Sequence, residues 1–140
     1  MTVETVIVQS DGGARGNPGP AAIGAVVLDG TVDPPAVLVT VSECIGIATN
    51  NVAEYQALIS GLEAARPFGA RRVVVRADSQ LLIRQLEGRY RVKSAHLKPL
   101  YEQASAQLAE YDEVDLGHVR REDNVDADAL VNAALDAVES

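Results

Sequence analysis

The sequence has no tryptophan, one cysteine, one phenylalanine and two histidines in 140 residues. The single thiol, Cys44, excludes an internal disulfide, and the distant His96 and His118 form no cluster with the spacing of a zinc site. No apolar run approaches the ~20 residues of a membrane span. The N-terminus also lacks a basic segment followed by an apolar one, which a secretion signal has. These absences predict a reduced, cytoplasmic protein with no membrane partner, folded as a single domain over residues 1–140.

Positive charge is scarce, with 12 Lys and Arg against 20 Asp and Glu and a net charge of −8. Taken alone, this balance disfavours nucleic acid as a partner, because phosphates are neutralised by Lys and Arg. The charges are uneven, however. Nine of the twelve basic residues lie between Arg66 and Lys98, and eleven acids lie between Leu100 and Ser140. The basic segment is compatible with a surface that meets nucleic acid, and equally with ordinary solvated faces.

Hydrophobic periodicity predicts five strands and four helices in the order β-β-β-α-β-α-α-β-α. The turn residues Asp29-Gly30 and Asp33-Pro34-Pro35 predict an antiparallel hairpin between the second and third strands. The predicted strands are Val3–Gln9, Ile23–Leu28, Val37–Val41, Val73–Ala77 and Val114–Val119. The predicted helices are Asn51–Ala65, Ser79–Leu86, Leu97–Ala109 and Val125–Val138.

The order of these elements predicts an α/β fold. Strands that alternate with helices in the second half indicate parallel strands with right-handed crossovers, and the first three strands form an antiparallel meander. We therefore expect a mixed five-stranded sheet, with the meander beside two parallel strands and helices on both faces.

Asp11 and Asp78 each directly follow a predicted buried strand. If those strands are parallel neighbours, ~4.8 Å apart, both carboxylates emerge side by side at the edge where open α/β sheets bind ligands. Either residue alone is equally a turn former, and Asp78-Ser79 before a helix is a good cap. Together they predict a cation, because two like charges so close are unfavourable without one.

Glu54 and Asp128 are acids on apolar helix stripes. Glu54 lies on the face that is expected to meet the sheet, and glutamate is rarely buried unpaired. Its stripe continues through Leu58, Gly61, Leu62 and Ala65. Asp128 similarly precedes Val131 and Leu135. The alternative for both acids is attraction to the positive N-terminus of their own helix.

Four such carboxylates would form an all-oxygen site, which suits Mg²⁺ or Mn²⁺. Two cations bridged by carboxylates can activate a water and stabilise the leaving oxygen in phosphodiester hydrolysis. The glycine-rich segment Gly12–Pro20 matches neither the P-loop nor the dinucleotide fingerprint. Its glycines, beginning with Gly12, would let backbone amides approach a nucleic-acid strand, unless the segment is a plain hairpin turn.

Four segments of the sequence resemble type 1 ribonuclease H. In chain order they are Ser10–Ala21, Thr49–Glu54, Asp78–Gln80 and His118–Leu130. They span essentially the whole chain with consistent spacing, so chance agreement is very improbable. The resemblance implies the ribonuclease H-like fold.

The resemblance also implies an endoribonuclease that hydrolyses the RNA strand of RNA–DNA hybrids and leaves 5′-phosphate and 3′-hydroxyl ends. Asp11, Glu54, Asp78 and Asp128 would hold two Mg²⁺ ions, with Mn²⁺ as a substitute, and would position the attacking water. His118, on a mobile segment before the last helix, would assist proton transfer or product departure. Its alternative is a histidine that caps the last strand.

Further residues would bind the hybrid, according to the same resemblance. Asn17, Asn50, Asn51 and Gln80 would contact its minor groove, where 2′-hydroxyls distinguish RNA from DNA. Thr49 and Asn50 would help bind a phosphate of the DNA strand, together with helix N-terminal amides. Thr49 is alternatively only a helix cap.

The chain departs from many family members in lacking a long basic protrusion that carries tryptophans. In its place stands the segment Gly88–Pro99, and Val52 replaces an arginine that some members have. This segment would serve as a reduced handle for the hybrid, or simply as a solvated connection. The basic residues proposed to contact phosphates there are Arg89, Arg91 and Lys93.

Two other functions remain open from the sequence. One is a catalytically weak hybrid-binding module, although clustered acids beside phosphate would not help a pure binder. The other is a metal-dependent DNA nuclease or phosphotransferase of the same superfold, because a fold alone does not determine function. For each of these functions, the ribonuclease included, we expect a monomeric domain, alone or fused to another domain in a longer chain.

Overall fold

The fold is built on one five-stranded sheet, which a computed structural model describes within residues 3–139. The strand order across the sheet is β3-β2-β1-β4-β5. The strands are β1 (Thr5–Ala14), β2 (Gly19–Asp29), β3 (Ala36–Ala48), β4 (Arg72–Ala77) and β5 (Glu113–His118). The helices are α1 (Asn50–Ala65), α2 (Gln80–Leu86), α3 (Lys98–Leu108) and α4 (Val125–Glu139), with short 3-10 turns at Arg66–Phe68 and Arg121–Asp123.

The strand directions confirm the predicted topology. β1 pairs antiparallel with β2, and β2 pairs antiparallel with β3, so the first three strands form the meander. β4 pairs parallel with both β1 and β5. The sheet is therefore mixed, and its two parallel connections carry the chain across its face through helices.

Helices cover both faces, as neighbouring glycines of β1 demonstrate. A Cβ atom added at Gly12 would lie 2.2 Å from the carbonyl group of Ala53 in α1. A Cβ atom added at Gly13 would lie 3.8 Å from Val131 Cγ1 in α4. Because successive strand residues point to opposite faces, α1 and α4 lie on opposite sides of the sheet.

The two faces hold hydrophobic clusters of different sizes. The main cluster joins β1, β4, α1, α2 and α3, and includes the fully buried Tyr55, Leu58, Val75 and Ile83. Under α4, the buried cluster consists of Ala22, Val131 and Leu135. The helix that carries Asp128 is thus held by less apolar contact than the helix that carries Glu54.

The first three strands are longer than their sequence patterns predict, whereas the four helices and β4 and β5 agree to within one residue at each end. β1 continues past Gln9 to Ala14, since Ser10–Ala14 pairs with Ala21–Ala25 of β2. Asp11 therefore lies inside β1 rather than directly after it, and the glycine-rich segment is largely strand with a turn at residues 15–18. Cross-strand pairing outweighs the weak strand propensity of glycine and alanine here.

His118 also differs from its expected position. It is the last residue of β5 and pairs in register with Ala77 of β4, so it does not belong to the segment that leads into α4. That segment instead contains the 3-10 turn at Arg121–Asp123.

Helices that could cross a membrane are not found in residues 3–139.

Candidate metal centre and nucleic-acid cleft

Three of the four predicted acids meet at the edge of the sheet. Asp11, Glu54 and Asp78 each offer a carboxylate oxygen, and these oxygens all lie within 4.8 Å of one another. Asp11 and Glu54 are only 7% and 8% exposed. Three carboxylates are thus packed together, two of them largely shielded from water.

The parallel pairing of β1 and β4 brings Asp11 and Asp78 together. Ser10 pairs in register with Ala77, so the residues that follow, Asp11 and Asp78, come side by side. Asp78 leaves its strand at once, because Ser79 caps α2 by accepting a hydrogen bond from Leu82 N–H. The convergence thus follows from strand register rather than from local sequence.

The close approach of α1 brings in the third acid. The absence of a side chain at Gly12 lets the backbone of α1 lie against β1. The Gly12 N–H then donates a 3.0 Å hydrogen bond to Glu54 Oε1. This amide was expected to approach a nucleic-acid strand, but it is buried and already occupied by Glu54.

Asp128 lies at the side of this cluster, on the first turn of α4. It is close enough to Asp11 for a carboxyl–carboxyl hydrogen bond, which helps to raise the pKa of Asp11. It does not belong to the group within 4.8 Å. Asn132 Nδ2 donates to its Oδ2 at 3.3 Å. Asp128 therefore borders the cleft that the other three acids share.

Asn124 ties Asp128 to the sheet, a role that sequence reasoning missed. Its buried Nδ2 donates to the carbonyl of Ser10 at 2.9 Å, directly before Asp11. The backbone carbonyl of Asn124 accepts a hydrogen bond from Asp128 N–H at 3.1 Å. The sequence did contain an indication of this role, because Asn124 belongs to the segment His118–Leu130 that resembles type 1 ribonuclease H.

The electrostatics of the cluster favour a bound cation. Burial raises the pKa of Asp11 to about 7, and the charge of Asp78 adds to this effect. Burial also raises the pKa of Glu54 well above its usual value, with a further contribution from the charge of Asp11. Glu54 Oε2 is buried and has no hydrogen-bond partner among the described residues. Full ionisation of the cluster is therefore unfavourable without a cation, and a bound cation would favour the ionised carboxylates.

These residues fit a divalent cation. Their donors are all oxygens, which suits Mg²⁺ or Mn²⁺ and does not suit zinc or copper. The unpaired Glu54 oxygen and the crowding of three carboxylates are the features that a cation would relieve.

His118 contacts the backbone beside this centre. Its Nε2 lies 3.2 Å from the carbonyl oxygen of Asp78. Because a carbonyl can only accept, Nε2 carries the hydrogen in this contact and Nδ1 remains available as an acceptor. The ring is exposed at the end of β5.

Amide side chains surround the hairpin beside the acids. Ala14 N–H donates to Asn50 Oδ1 at 2.8 Å, and Asn50 N–H donates to Asn17 Oδ1 at 3.0 Å. Since both side-chain oxygens accept from the backbone, both NH₂ groups are left as donors. Asn51 and Gln80 are exposed on the first turns of α1 and α2.

Thr49 caps α1. Its Oγ1 accepts a 3.3 Å hydrogen bond from Val52 N–H, in the geometry of a helix N-cap. The cap that the sequence offered as one interpretation of Thr49 is therefore present.

The acids and amides line two adjoining depressions. One, of about 510 Å³, contains the carboxylates together with Asn50 and Asn51. The second, of about 490 Å³, lies between Asn17, Thr49 and Asn51 on one side and Ser94 and His96 on the other. Ser94 and His96 belong to the segment Gly88–Pro99 that the sequence offered as a handle for the hybrid, but nothing in the pattern places them beside the start of α1.

Most of the basic segment is neutralised within the fold. Beside the start of β4, Arg71 pairs with Glu4 and Glu113. Across β4 and β5, Arg72 pairs with Glu113 and Asp115, and Arg76 pairs with Asp115. Arg66 pairs with Glu110, and Arg84 with Glu87. Of the two interpretations of the basic segment, solvated faces therefore describe the ion-paired arginines from Arg66 to Arg84.

Three basic side chains within residues 3–139 have no ion pair: Arg91, Lys93 and Lys98. All three lie in, or directly after, the connection between α2 and α3. Arg89 in the same connection is 3.8 Å from Glu87. The positive charge that remains free is thus concentrated in one short segment.

A protein-family model described as reverse transcriptase-like matches residues 9–134. The chain is 46% identical over 132 residues to the bifunctional protein Rv2228c of Mycobacterium tuberculosis and 44% identical over 126 residues to ribonuclease HI of Halobacterium salinarum. It covers 36% and 62% of those two proteins, less than two thirds of either. It is also 36% identical to ribonuclease H of Halorhodospira halophila, with 97% of each protein covered.

Solved structures agree with these sequence relatives. RNase H1 from Halobacterium salinarum superimposes with a TM-score of 0.89 at 42% identity, over 95% of this chain and 98% of that one. LC11-RNase H1 in complex with an RNA/DNA hybrid gives a TM-score of 0.88 at 43% identity, over 96% and 99%.

Proposed function

The chain belongs to the type 1 ribonuclease H family, and we propose that it is a divalent-metal-dependent endoribonuclease acting on RNA–DNA hybrids. The observation that carries this proposal is the group of three converging carboxylates, two of them buried. Such a group is costly in a protein that only binds nucleic acid, because it repels phosphate. It is useful where cations mediate between carboxylates and a phosphodiester.

Asp11, Glu54 and Asp78 would hold two Mg²⁺ ions, with Asp128 completing the site from its border and Mn²⁺ as a substitute. Ions held there would supply activation of the attacking water and stabilisation of the leaving oxygen, and the products would carry 5′-phosphate and 3′-hydroxyl ends. The unpaired Glu54 oxygen and the raised pKa of Asp11 support this assignment. Gly12 holds the other Glu54 oxygen in place through its N–H.

His118 would take or supply a proton at the edge of the site. Its Nε2 is engaged by the Asp78 carbonyl, which turns the ring so that Nδ1 is the nitrogen left for proton exchange. Its exposure at the end of β5 keeps it in contact with water, as a group that assists departure of the product requires.

The amide side chains would distinguish RNA from DNA. The NH₂ groups of Asn17 and Asn50 are fixed as donors, since their oxygens already accept from backbone N–H groups. Donors in fixed positions suit base acceptors in the minor groove and 2′-hydroxyl oxygens. Asn51 and Gln80 would add contacts from the adjacent helix starts, and Thr49 would help α1 to face a DNA phosphate. The hybrid bound to LC11-RNase H1 supports this choice of substrate.

A cleavage assay tests the proposal. A labelled RNA–DNA hybrid and the matching RNA and DNA duplexes are incubated with the protein in Mg²⁺ or in EDTA. We expect only the RNA strand of the hybrid to be cut, with activity lost in EDTA and reduced roughly 10²-fold or more in Asp78→Asn. The exposed Asp126→Asn, from the first turn of α4, is the matched control and should retain activity. Binding without cleavage, or equal cleavage of DNA, would contradict the proposal.

A further inference from the structure

A chain of buried hydrogen bonds runs from α1 to the connection between α2 and α3. The hydroxyl of Tyr55 donates to Gln85 Oε1 at 2.6 Å, and Gln85 Nε2 donates to the carbonyl of Arg91 at 3.3 Å. Tyr55 is 1% exposed and Gln85 is 4% exposed. The Gln85 side chain thus accepts a hydrogen bond from the core residue Tyr55 and donates one to the surface segment at Arg91.

The segment that this chain reaches is residues 87–97, which we call the cationic loop. Its first part is held by hydrogen bonds from Arg89 and Tyr90 N–H to the carbonyl of Arg84. Its last part is held by the carbonyl of Ser94, which accepts from Leu97 N–H. In the middle of the loop, residues 91–93 make one hydrogen bond to the rest of the described chain, in which the Arg91 carbonyl accepts from Gln85 Nε2.

The middle of this loop carries the charge that would meet a nucleic acid. Arg91 and Lys93 are exposed and unpaired, in contrast to the ion-paired arginines of β4. A charge acts on a phosphate only within a limited distance, since surface charges are screened over ~10 Å at moderate salt. The backbone position of residues 91–93, held by the Gln85 hydrogen bond and by packing of Val92 against the core, therefore affects what these cations contribute.

We propose that Tyr55 and Gln85 are positioning residues for substrate binding, which hold the cationic loop where Arg91 and Lys93 meet the phosphates of the hybrid. This inference rests on the proposed function for its substrate, but the geometry of the loop is independent of it. Burying a hydroxyl and an amide is costly unless both are paired, so the pair is sensitive to the loss of either partner. Tyr55 directly follows Glu54, so one turn of α1 orients both a carboxylate of the metal centre and the loop.

The first test is Tyr55→Phe, which removes one hydroxyl and keeps the ring in the core. Gln85 Oε1 then loses its donor inside the protein, and the amide no longer has one preferred orientation towards Arg91. We expect KM for the hybrid to rise roughly three- to tenfold with kcat within about twofold of wild type. Tyr111→Phe is the control, because Tyr111 is half-buried and its hydroxyl makes no hydrogen bond among residues 3–139. Equal KM values in wild type and Tyr55→Phe would overturn the proposal.

The second test is a double-mutant cycle with Arg91→Ala/Lys93→Ala. If Tyr55 acts through the loop, Tyr55→Phe weakens hybrid binding in the wild-type background but has little effect once the two cations are gone. A loss of the same size in both backgrounds would show that the hydroxyl acts elsewhere, and would overturn the proposal.

The third test needs no nucleic acid. Trypsin cuts after Arg and Lys. The rate of cleavage at Arg89, Arg91 and Lys93 therefore measures how often the cationic loop opens to the protease. We expect faster cleavage in Tyr55→Phe and in Gln85→Leu than in Tyr111→Phe, at temperatures well below each Tm. Unchanged cleavage contradicts the positioning role even if hybrids are cut. If the wild-type protein cut no hybrid, the proposed function would be contradicted. Faster loop cleavage in the two variants would still support the role of Tyr55 and Gln85 in holding the loop.

Discussion

At the scale of single residues, Glu54 links the fold to the chemistry. One of its carboxylate oxygens accepts from the Gly12 amide, and the other is buried without a partner among residues 3–139. Asp11 and Asp78 lie against it. The sequence pattern identified Glu54 as an acid on the buried face of a helix. The unpaired oxygen, which is the stronger indication of a cation, became visible only with the neighbours in place.

The raised pKa values lead to a prediction for the metal-free protein. Because the pKa of Asp11 is about 7 in the fold, against 3.8 ordinarily, the folded state binds more protons than the unfolded state between these values. The free energy of unfolding therefore falls as the pH rises through this range. In EDTA we expect Tm to drop by roughly 5 °C or more between about pH 5 and pH 8.

Mg²⁺ should reverse this drop at pH 8 and have little effect at pH 5, where protons already neutralise the cluster. Asp11→Asn should flatten the dependence of Tm on pH, whereas the exposed Asp126→Asn should leave it unchanged. Thermal unfolding followed by circular dichroism measures both effects. Identical pH profiles with and without Mg²⁺ would contradict a cation site at these residues.

Asp128 should behave differently from Asp78, because it borders the cluster rather than belonging to its tightest group. We expect Asp128→Asn to lower activity less than Asp78→Asn does, and to regain part of that activity at higher Mg²⁺. The mutation weakens one side of the site without removing its centre. Steady-state cleavage rates across a Mg²⁺ titration make the comparison. Equal and irreversible losses in the two variants would place Asp128 at the centre instead.

At the scale of secondary-structure elements, the close approach of α1 to β1 is the decisive contact. A Cβ at Gly12 would overlap the Ala53 carbonyl at 2.2 Å, whereas one at Gly13 would make an ordinary contact with Val131 at 3.8 Å. These adjacent glycines therefore have different importance, although the sequence presents them as equivalent.

Gly12→Ala should push α1 away from the sheet and displace Glu54. We expect a loss of roughly 1–3 kcal/mol in the free energy of unfolding and a strong loss of cleavage. Gly13→Ala, the matched control, should change stability by less than about 1 kcal/mol. Urea denaturation of both variants measures the difference. If both substitutions were tolerated equally, the two helices would not approach the sheet at different distances.

At the scale of the whole molecule, the distribution of charge decides which surface has positive charge available for the proposed nucleic-acid substrate. The net charge of −8 includes the converging acids, and much of the basic segment is consumed by ion pairs across β4 and β5. Exposed ion pairs contribute little to stability individually. Their consequence here is to leave Arg91 and Lys93 as free charge in the cationic loop.

Neutralising that loop should weaken binding in a way that depends on salt. In the triple variant Arg89→Ala/Arg91→Ala/Lys93→Ala, the negative slope of log affinity against log salt should become shallower by about 0.9 for each phosphate that the protein no longer neutralises. Arg66→Ala/Arg71→Ala, which removes ion-paired charge, is the matched control and should leave the slope unchanged. Fluorescence anisotropy with a labelled hybrid measures the slopes. An unchanged slope in the triple variant would exclude the cationic loop as a phosphate-binding element.

The kinds of secondary-structure elements, their order and the candidate metal ligands can be read from the amino-acid pattern alone. Helix limits follow from local caps and periodicity, so they agree with the pattern to within one residue, and the acids are recognisable because each occupies a position that disfavours charge. The folded chain was needed to see that Asp11 lies inside β1 and that Gly12 allows α1 to approach the sheet. It was also needed to see which basic side chains have no ion pair among residues 3–139. These features depend on contacts between residues that are far apart in the sequence. Arg76 meets Asp115 across 39 residues, and β1 lengthens by pairing with β2, so both depend on contacts that no local pattern contains.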